Sequence, residues 1–346
     1  MLLSEFDFPF DPALVADQPV LPRDRARMLV IDRSSGLRTH RHVADLPSLL
    51  EPGDLVVVNN TKVMPARVSA RVRSSGKLID LLFVQDLGQG VWEVLMKGRF
   101  RPGSLIEFES GGIGEVLERN QGRTTLKVTG VTSVHKLMQI AGAMPLPPYI
   151  KRHPTQDDVG WYQTMFAQYE GAIAAPTAGL HFTPELVDAL IARNVALAQV
   201  TLHVGPGTFQ SVKSERIEDH RMMAEWIDVP AGAVQQIRRA KQQGRRVVAV
   251  GTTVVRALES AARSGAGMIP FQGAAELFIT PGFKFQVVDA LLTNFHLPRT
   301  TLLMLVSALV GTDSLRAAYA EAVASRYRFY SYGDAMLIGT GWRDAT

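Results

Sequence analysis

From residue 183 onward the chain alternates between segments of helical periodicity and short apolar runs of strand length. Thr183 is a favoured N-cap residue, and Pro184 suits the first position of the helix that follows. Strands that alternate with helices pair in parallel, so this pattern indicates an α/β domain. The predicted helices are 184–192, 234–243, 254–263 and one beginning near Leu302, and the predicted strands are 196–202, 246–250, 277–279 and 287–288.

Residues 66–145 follow a different sequence pattern, in which short segments of alternating polar and apolar residues are separated by glycine-rich turns. Such segments at intervals of about 8–12 residues are typical of a small β sandwich or barrel. The proline-rich stretch 145–150 ends this module. Its predicted strands are 66–73, 78–84, 91–96, 105–108, 115–117 and 124–128.

Two apolar runs precede the β module, at residues 28–31 and 54–58. They have no core of their own, so we assign them to the α/β domain. The sequence therefore predicts a discontinuous α/β catalytic domain (1–65 and 146–346) with an inserted, barrel-like all-β domain (66–145).

The chain of 346 residues contains no cysteine, which excludes disulfides, thiolate nucleophiles and cysteine-ligated metal centres. Its net charge of +4 is compatible with RNA, although many proteins without such a partner share it. The most apolar run, 302–310, is shorter than the about 20 residues of a membrane span, and no signal peptide is recognisable. We expect a cytoplasmic monomer without membrane contact, prosthetic group or metal.

Four loops, 174–183, 201–209, 250–256 and 293–298, are rich in Gly, Thr, Pro and His. They contain three of the eight histidines, His181, His203 and His296, and each lies beside an apolar segment. Binding and catalytic groups are concentrated in loops held by a rigid scaffold. We therefore predict that the four loops form one composite site.

Each loop also has a simpler interpretation when it is taken alone. One turn leads from a strand to a helix and contains Gly251, Thr252, Thr253 and Arg256. It is suited to binding a carboxylate or phosphate, or it is an ordinary helix cap beside an exposed arginine. Residues 205–208 permit close backbone approach to a ligand, or form a tight turn. A single histidine flanked by apolar residues is more often a half-buried structural group, whereas His296 beside Asn294 suits proton transfer.

Two further segments are candidates for nucleic-acid contact. Residues 327–334 combine three tyrosines with Arg328, which suits stacking on a base or, alternatively, a strand that closes the core. Residues 97–101 form a basic turn that could contact phosphates, or a solvated hairpin tip.

At these loops the sequence resembles the S-adenosylmethionine:tRNA ribosyltransferase-isomerase family of queuosine biosynthesis. The resemblance extends from end to end of the chain and keeps the family's order. It is carried by residues 59–67, 144–150, 162–164, 174–183, 201–209, 250–256, 287–298 and 327–338.

The resemblance implies an α/β domain with an inserted small β-barrel. It also implies transfer and isomerisation of the ribosyl part of S-adenosylmethionine, the co-substrate, onto 7-aminomethyl-7-deazaguanine at the wobble position of tRNA. The product is epoxyqueuosine, and adenine and methionine are released. A base must take a proton next to the sulfonium, the substrate amine must be unprotonated, and the adenine must be protonated or hydrogen-bonded.

We assign roles on residue chemistry under this resemblance. His203 or His296 is the expected base, and Asp289 or Glu225 its orienting carboxylate. Thr252, Thr253 and Arg256 are expected to hold the methionine carboxylate, beside Gly251. The remaining expected contacts are Gly205, Gly207 and Thr208 for the nucleoside, and His181, Asn294, Arg328, Tyr332, Asp334, Lys97 and Arg99 for the substrate or tRNA.

The sequence departs from the family pattern in three places. Met223 replaces a histidine, Val254 replaces a serine, and Val159-Gly160 replaces a charged pair. The alternatives are an S-adenosylmethionine-dependent RNA methyltransferase, for which the glycine-rich turn after a strand is missing, and a non-catalytic RNA-binding protein, which would leave the loop residues without a role.

Overall fold

The structure is a computed structural model that describes residues 1–120, 122–209, 212, 214–263 and 267–342, without the side chains of Thr208 and Phe209. The strands are β1 Arg27–Asp32, β2 Arg38–His42, β3 Leu55–Asn59, β4 Thr61–Val63, β5 Arg67–Val72, β6 Leu78–Gly88, β7 Val91–Met96, β8 Leu105–Phe108, β9 Ile113–Asn120, β10 Arg123–Thr129, β11 Gly142–Ala143, β12 Tyr169–Ala172, β13 Ala196–Leu202, β14 Glu225–Val229, β15 Val247–Val250, β16 Phe271–Ala275, β17 Ala290–Asn294 and β18 Ala335–Gly339. The helices are α1 Leu46–Leu49, α2 Val134–Ala141, α3 Asp158–Trp161, α4 Pro184–Ala192, α5 Ala231–Gln242, α6 Thr252–Arg263, α7 Thr301–Val310 and α8 Thr312–Ala324.

A nine-stranded mixed sheet forms the centre of the main domain, in the order β16-β14-β13-β3-β15-β17-β18-β1-β2. The four neighbours β13, β3, β15 and β17 are parallel, so their carboxyl ends lie along one edge. Strands β3, β15 and β17 are buried at every residue, which explains their nearly continuous apolar sequences. Loops that leave this edge are therefore brought together.

The inserted module is a closed β-barrel. Its strands follow the order β5-β6-β7-β10-β9-β8, and pairing between β5 and β8 closes the ring, with β11 added beside β5. The apolar residues inside it form a core separate from those of the main sheet, including Phe83, Trp92 and Leu126. The predicted fold class is thus confirmed, whereas the domain limits at 66 and 145 stay a prediction.

Two strands predicted after α6 are wrong. Residues 277–279 and 287–288 lie outside the sheet, and the strands there are β16 and β17. The backbone N–H groups of Val287 and Val288 donate to the buried carboxylate of Glu259, 3.0 Å away in each case, instead of to a neighbouring strand. A side chain on α6 thus takes the bonds that a strand would have made.

The predicted apolar helix near Leu302 is α7, which ends at Gly311 with φ of +87°. Within the described ranges, no single helix has the length and apolarity to cross a membrane, although the sharply bent pair α7 and α8 would meet those two criteria together.

Candidate active site

The four polar loops meet at one pocket, as their composition predicts. All four contribute to its wall at or beyond the carboxyl-terminal edge of the parallel strands, the usual place for a ligand in an α/β sheet. Tyr149 and Tyr330 add a stacked aromatic pair, with ring centroids 3.8 Å apart. We call this the inner pocket; its loop residues are 175–178, 204, 251–253, 293–294 and 296–298.

A second pocket lies between the barrel and the main domain, and we call it the barrel cleft. Its barrel wall includes Glu93 and Arg123, and its opposite wall includes His203 and Trp226. Val204 lines both pockets, so the cleft adjoins the inner pocket. A ligand bound between the two domains would therefore lie next to the residues of the composite site.

His203 is held in the barrel cleft on three sides. Its Nδ1 lies 2.8 Å from the Thr61 hydroxyl, and its ring stacks on Trp226 with centroids 5.1 Å apart. Gly171 lies against the Nε2 end of the ring, where a Cβ would come within 2.7 Å of Nε2. Burial lowers the pKa of His203, so the imidazole is neutral at pH 7.

His296 lines the inner pocket and is also held by a threonine. Its Nε2 lies 3.1 Å from the Thr293 hydroxyl, and its backbone N–H donates to the Tyr319 hydroxyl over 2.9 Å. Burial lowers the pKa of His296 to about 3, which keeps this ring neutral too.

His181 binds a protein group in this structure, and its contact with substrate stays a prediction. The ring is buried behind the inner pocket, and its Nε2 lies 3.2 Å from the amide nitrogen of Asn294. Burial, followed by repulsion from Arg23, lowers the pKa of His181 to about 3. His181 thus orients Asn294, whose amide oxygen accepts a hydrogen bond from Thr177 and which itself lines the pocket.

Arg256 does not point at a ligand carboxylate, contrary to the sequence-based expectation. Its guanidinium is buried and pairs with the buried carboxylate of Glu225, and its other nitrogens donate to the carbonyls of Ala275 and Leu277, each over 3.2 Å. Glu225 Oε1 also accepts the backbone N–H of Gly205 over 2.9 Å. The pair anchors the loop that leaves β13 after His203.

Glu225 and Asp289 do not orient the histidines in the way expected. The hydrogen-bond partner of the His203 ring is Thr61, and that of the His296 ring is Thr293. Asp289 precedes β17, at the opposite edge of the sheet from His296, and accepts from Lys241 over 2.7 Å and from the Val247 backbone over 2.8 Å. Five extended residues, roughly 16 Å, separate the two ends of that strand.

The remaining loop residues differ in their placement. Gly251, Thr252 and Thr253 line the inner pocket at the start of α6, and Gly205 lines the barrel cleft. Gly207 is absent from both linings in the described part of the chain, and a Cβ there would meet Met223 Sδ at 2.9 Å. The side chain of Thr208 lies outside the described residues.

The C-terminal aromatic segment closes the core and does not present Tyr332 to a base. Tyr332 is buried, with its hydroxyl 2.9 Å from Asp158. Asp334 is buried as well; it accepts the Arg328 backbone N–H over 2.8 Å and pairs with Arg27. Both side chains already bind protein groups, and the substrate contacts of Tyr332 and Asp334 stay a prediction.

The other three predicted polar contacts, those of Arg328, Lys97 and Arg99, lie apart from both pockets. Arg328 donates to the Gln18 carbonyl over 3.3 Å and lies 3.4 Å from Asp334. Lys97 and Arg99 occupy the exposed turn after β7 on the barrel. A tRNA contact for Lys97 and Arg99 stays a prediction.

The structure predicts acid sensitivity at Asp158. Burial alone would raise the pKa of this carboxyl, but hydrogen bonds from Arg152, Thr155 and Tyr332 lower it to about 2. The unfolded value is about 3.9, so the carboxylate adds about 2 kcal/mol of stability above about pH 4, which is lost as the pH falls to about 2. Asp158→Asn should lower the free energy of unfolding at pH 7 by about 2 kcal/mol. The free energy of unfolding of the variant should also decrease less steeply than that of the wild type as the pH falls from about 4 to about 2. Urea unfolding at several pH values measures both, and equally steep acid loss in the variant would contradict the assignment.

Sequence reasoning missed three residues that shape the site. Asn59, at the end of β3, exchanges hydrogen bonds with the Leu202 backbone and so joins β3 to β13. Thr61 holds His203, and Tyr149 forms part of the inner pocket. Their signal was present, because 59–67 and 144–150 are among the segments that carry the family resemblance.

Comparison with known proteins agrees with this arrangement. The model of a family described as queuosine biosynthesis protein matches residues 3–338. Two relatives are named S-adenosylmethionine:tRNA ribosyltransferase-isomerase. The one from Stenotrophomonas maltophilia is 46% identical over 98% of both chains, and the one from Moorella thermoacetica is 45% identical over 98% of this chain and 100% of its own.

A solved structure shows the same likeness. The crystal structure of S-adenosylmethionine tRNA ribosyltransferase from Thermotoga maritima is 37% identical, with a TM-score of 0.57, and the match covers 97% of this chain and 100% of that one. The chain belongs to the queuosine biosynthesis protein family.

Proposed function

We infer that this chain is an S-adenosylmethionine:tRNA ribosyltransferase-isomerase that acts in queuosine biosynthesis. The observation that carries this conclusion is identity of 46% along 98% of a relative with that name. The substrates we propose are S-adenosylmethionine and a tRNA with 7-aminomethyl-7-deazaguanine at the wobble position. A tRNA substrate is in keeping with a cytoplasmic protein, and we expect a monomer.

We propose that S-adenosylmethionine occupies the inner pocket. The aromatic faces of Tyr149 and Tyr330 suit a sulfonium cation. Thr252 and Thr253 start α6, where the positive end of the helix dipole favours the methionine carboxylate.

We propose that the tRNA base enters the barrel cleft. This cleft separates the two domains and adjoins the inner pocket at Val204, so a base there lies beside the co-substrate. Glu93 and Arg123, paired at 3.0 Å on the barrel wall, supply charged groups for its polar edge.

The reaction needs proton transfer and hydrogen bonding near the ribosyl group. The sulfonium makes the adjacent ribosyl carbon acidic, so a base can remove its proton. The substrate amine then bonds to the ribosyl group, and adenine and methionine are the two leaving groups. His203 and His296 lie one in each of the adjoining pockets, so the two imidazoles flank the place where co-substrate and base would meet.

The test is an incubation of the purified protein with S-adenosylmethionine and tRNA carrying the aminomethyl base, analysed by mass spectrometry. We expect adenine, methionine and an epoxy-cyclopentyl nucleoside in the digested tRNA. The same tRNA with unmodified guanine is the control and should release no adenine. S-adenosylhomocysteine with a methylated base would indicate a methyltransferase, and an intact co-substrate would contradict both activities.

A further inference from the structure

Each of the two pocket histidines is held by a buried threonine hydroxyl, but through a different ring nitrogen. Thr61 is fully buried and its hydroxyl contacts Nδ1 of His203, whereas Thr293, 1% exposed, contacts Nε2 of His296. In each ring the other nitrogen has no hydrogen-bond partner among the described residues.

The number of hydrogens that each threonine hydroxyl can donate determines the tautomer of its histidine. A threonine hydroxyl carries one hydrogen to donate, and a buried donor without an acceptor is costly. In the described ranges, the imidazole nitrogen is the one hydrogen-bond partner found for either hydroxyl. Each threonine therefore donates to its histidine. Burial lowers the pKa of both rings, which keeps them neutral, so the ring hydrogen lies on the opposite nitrogen.

Both histidines line the pockets. The Nε2 end of His203 lies next to Gly171 on the wall of the barrel cleft, and stacking on Trp226 fixes the ring plane. His296 lines the inner pocket, with its backbone held by Tyr319. His203 thus presents Nε2–H, and His296 presents Nδ1–H.

We propose that His203 and His296 act as neutral hydrogen-bond donors to electron-rich atoms of the substrates, and that neither is the base that takes the ribosyl proton. The acceptors fitting this chemistry are a ring nitrogen of the departing adenine and an oxygen of the ribosyl group. Thr61 and Thr293 are positioning residues, since each sets the tautomer of its histidine. The proposal rests on the proposed function and replaces the sequence-based assignment of either histidine as base.

Amide side chains distinguish a donor from a base, because an amide donates a hydrogen bond but does not accept a proton near pH 7. The glutamine amide reaches the position of histidine Nε2, and the asparagine amide that of Nδ1. His203→Gln and His296→Asn should keep at least about a tenth of wild-type kcat for adenine release. His203→Asn, His296→Gln and both alanine variants should lose about 100-fold, the usual effect of removing one such donor.

The decisive result is the contrast between the amide variants: activity kept in His203→Gln and His296→Asn, and lost in His203→Asn and His296→Gln. If Gln and Asn variants are as inactive as alanine at both sites while their circular dichroism is unchanged, the histidines are bases and the proposal fails. His42→Gln, at an exposed position on β2, is the matched control and should leave kcat unchanged.

Nitrogen-15 spectra of the histidine rings test the tautomers independently of activity. We expect Nε2–H for His203 and Nδ1–H for His296 in the wild type. Thr61→Val should give a mixture at His203, whereas Thr61→Ser should keep the wild-type signal. The reverse tautomers would overturn the proposal even in an active enzyme, and the expected tautomers in a protein that releases no adenine would contradict only the proposed function.

Discussion

Replacing Arg256 by methionine is expected to lower the free energy of unfolding by about 3–5 kcal/mol, the usual effect of breaking a buried ion pair. The guanidinium is 5% exposed and faces the Glu225 carboxylate, which is 6% exposed. Without Arg256 this buried carboxylate loses the guanidinium that pairs with it. Urea unfolding followed by circular dichroism measures the loss.

The second partner and an exposed pair provide the controls. Arg256→Met combined with Glu225→Leu should recover part of the stability, since no buried charge is left. Arg73→Met breaks an ion pair on the barrel whose side chains are both 46% exposed, and should cost less than about 1 kcal/mol. Equal losses in Arg256→Met and Arg73→Met would show that burial of the first pair has no energetic role.

Gly171→Ala is expected to lower kcat/KM for adenine release by about 100-fold, because displacement of a catalytic group by about 1 Å has an effect of that size. The new Cβ would lie 2.7 Å from Nε2 of His203, and the φ of +151° already disfavours a side chain. The stacked Trp226 leaves the ring little room to retreat on its other side. The measurement is steady-state adenine release, with thermal unfolding to check the fold.

Gly232→Ala is the matched glycine control. It lies in α5, and a Cβ there meets no atom within 4 Å. This change should leave activity unaltered and raise stability by roughly 0.5–1 kcal/mol, since alanine favours a helix. Wild-type turnover in Gly171→Ala would mean that the position of the His203 ring does not limit the reaction.

Local patterns in the sequence predicted most of the scaffold for simple physical reasons. Thr183 does cap α4, through a hydrogen bond to the Leu186 backbone, because capping depends on neighbours within one turn. The barrel strands follow the alternation of polar and apolar residues, because one face of each is buried. The predicted strands at 277–279 and 287–288 failed because the long-range partner Glu259 takes the backbone N–H groups of the second segment.

The convergence of three of the four loops was also determined by the sequence itself, since the parallel strands β13, β15 and β17 place their carboxyl ends at one edge of a sheet. Loop 174–183 follows β12, which pairs with β4 outside that sheet, so its place at the pocket depends on the tertiary structure. The tertiary structure alone decided which side chains are free to act there. Arg256, Asp289 and Asp334 look available in the sequence, yet each is engaged by a partner at least 31 residues away along the chain. The same applies to the pairing of Thr61 with His203, 142 residues apart. Ion-pair and hydrogen-bond partners that lie this far apart along the chain meet only when whole helices and strands pack together. A local sequence pattern contains no information on that packing.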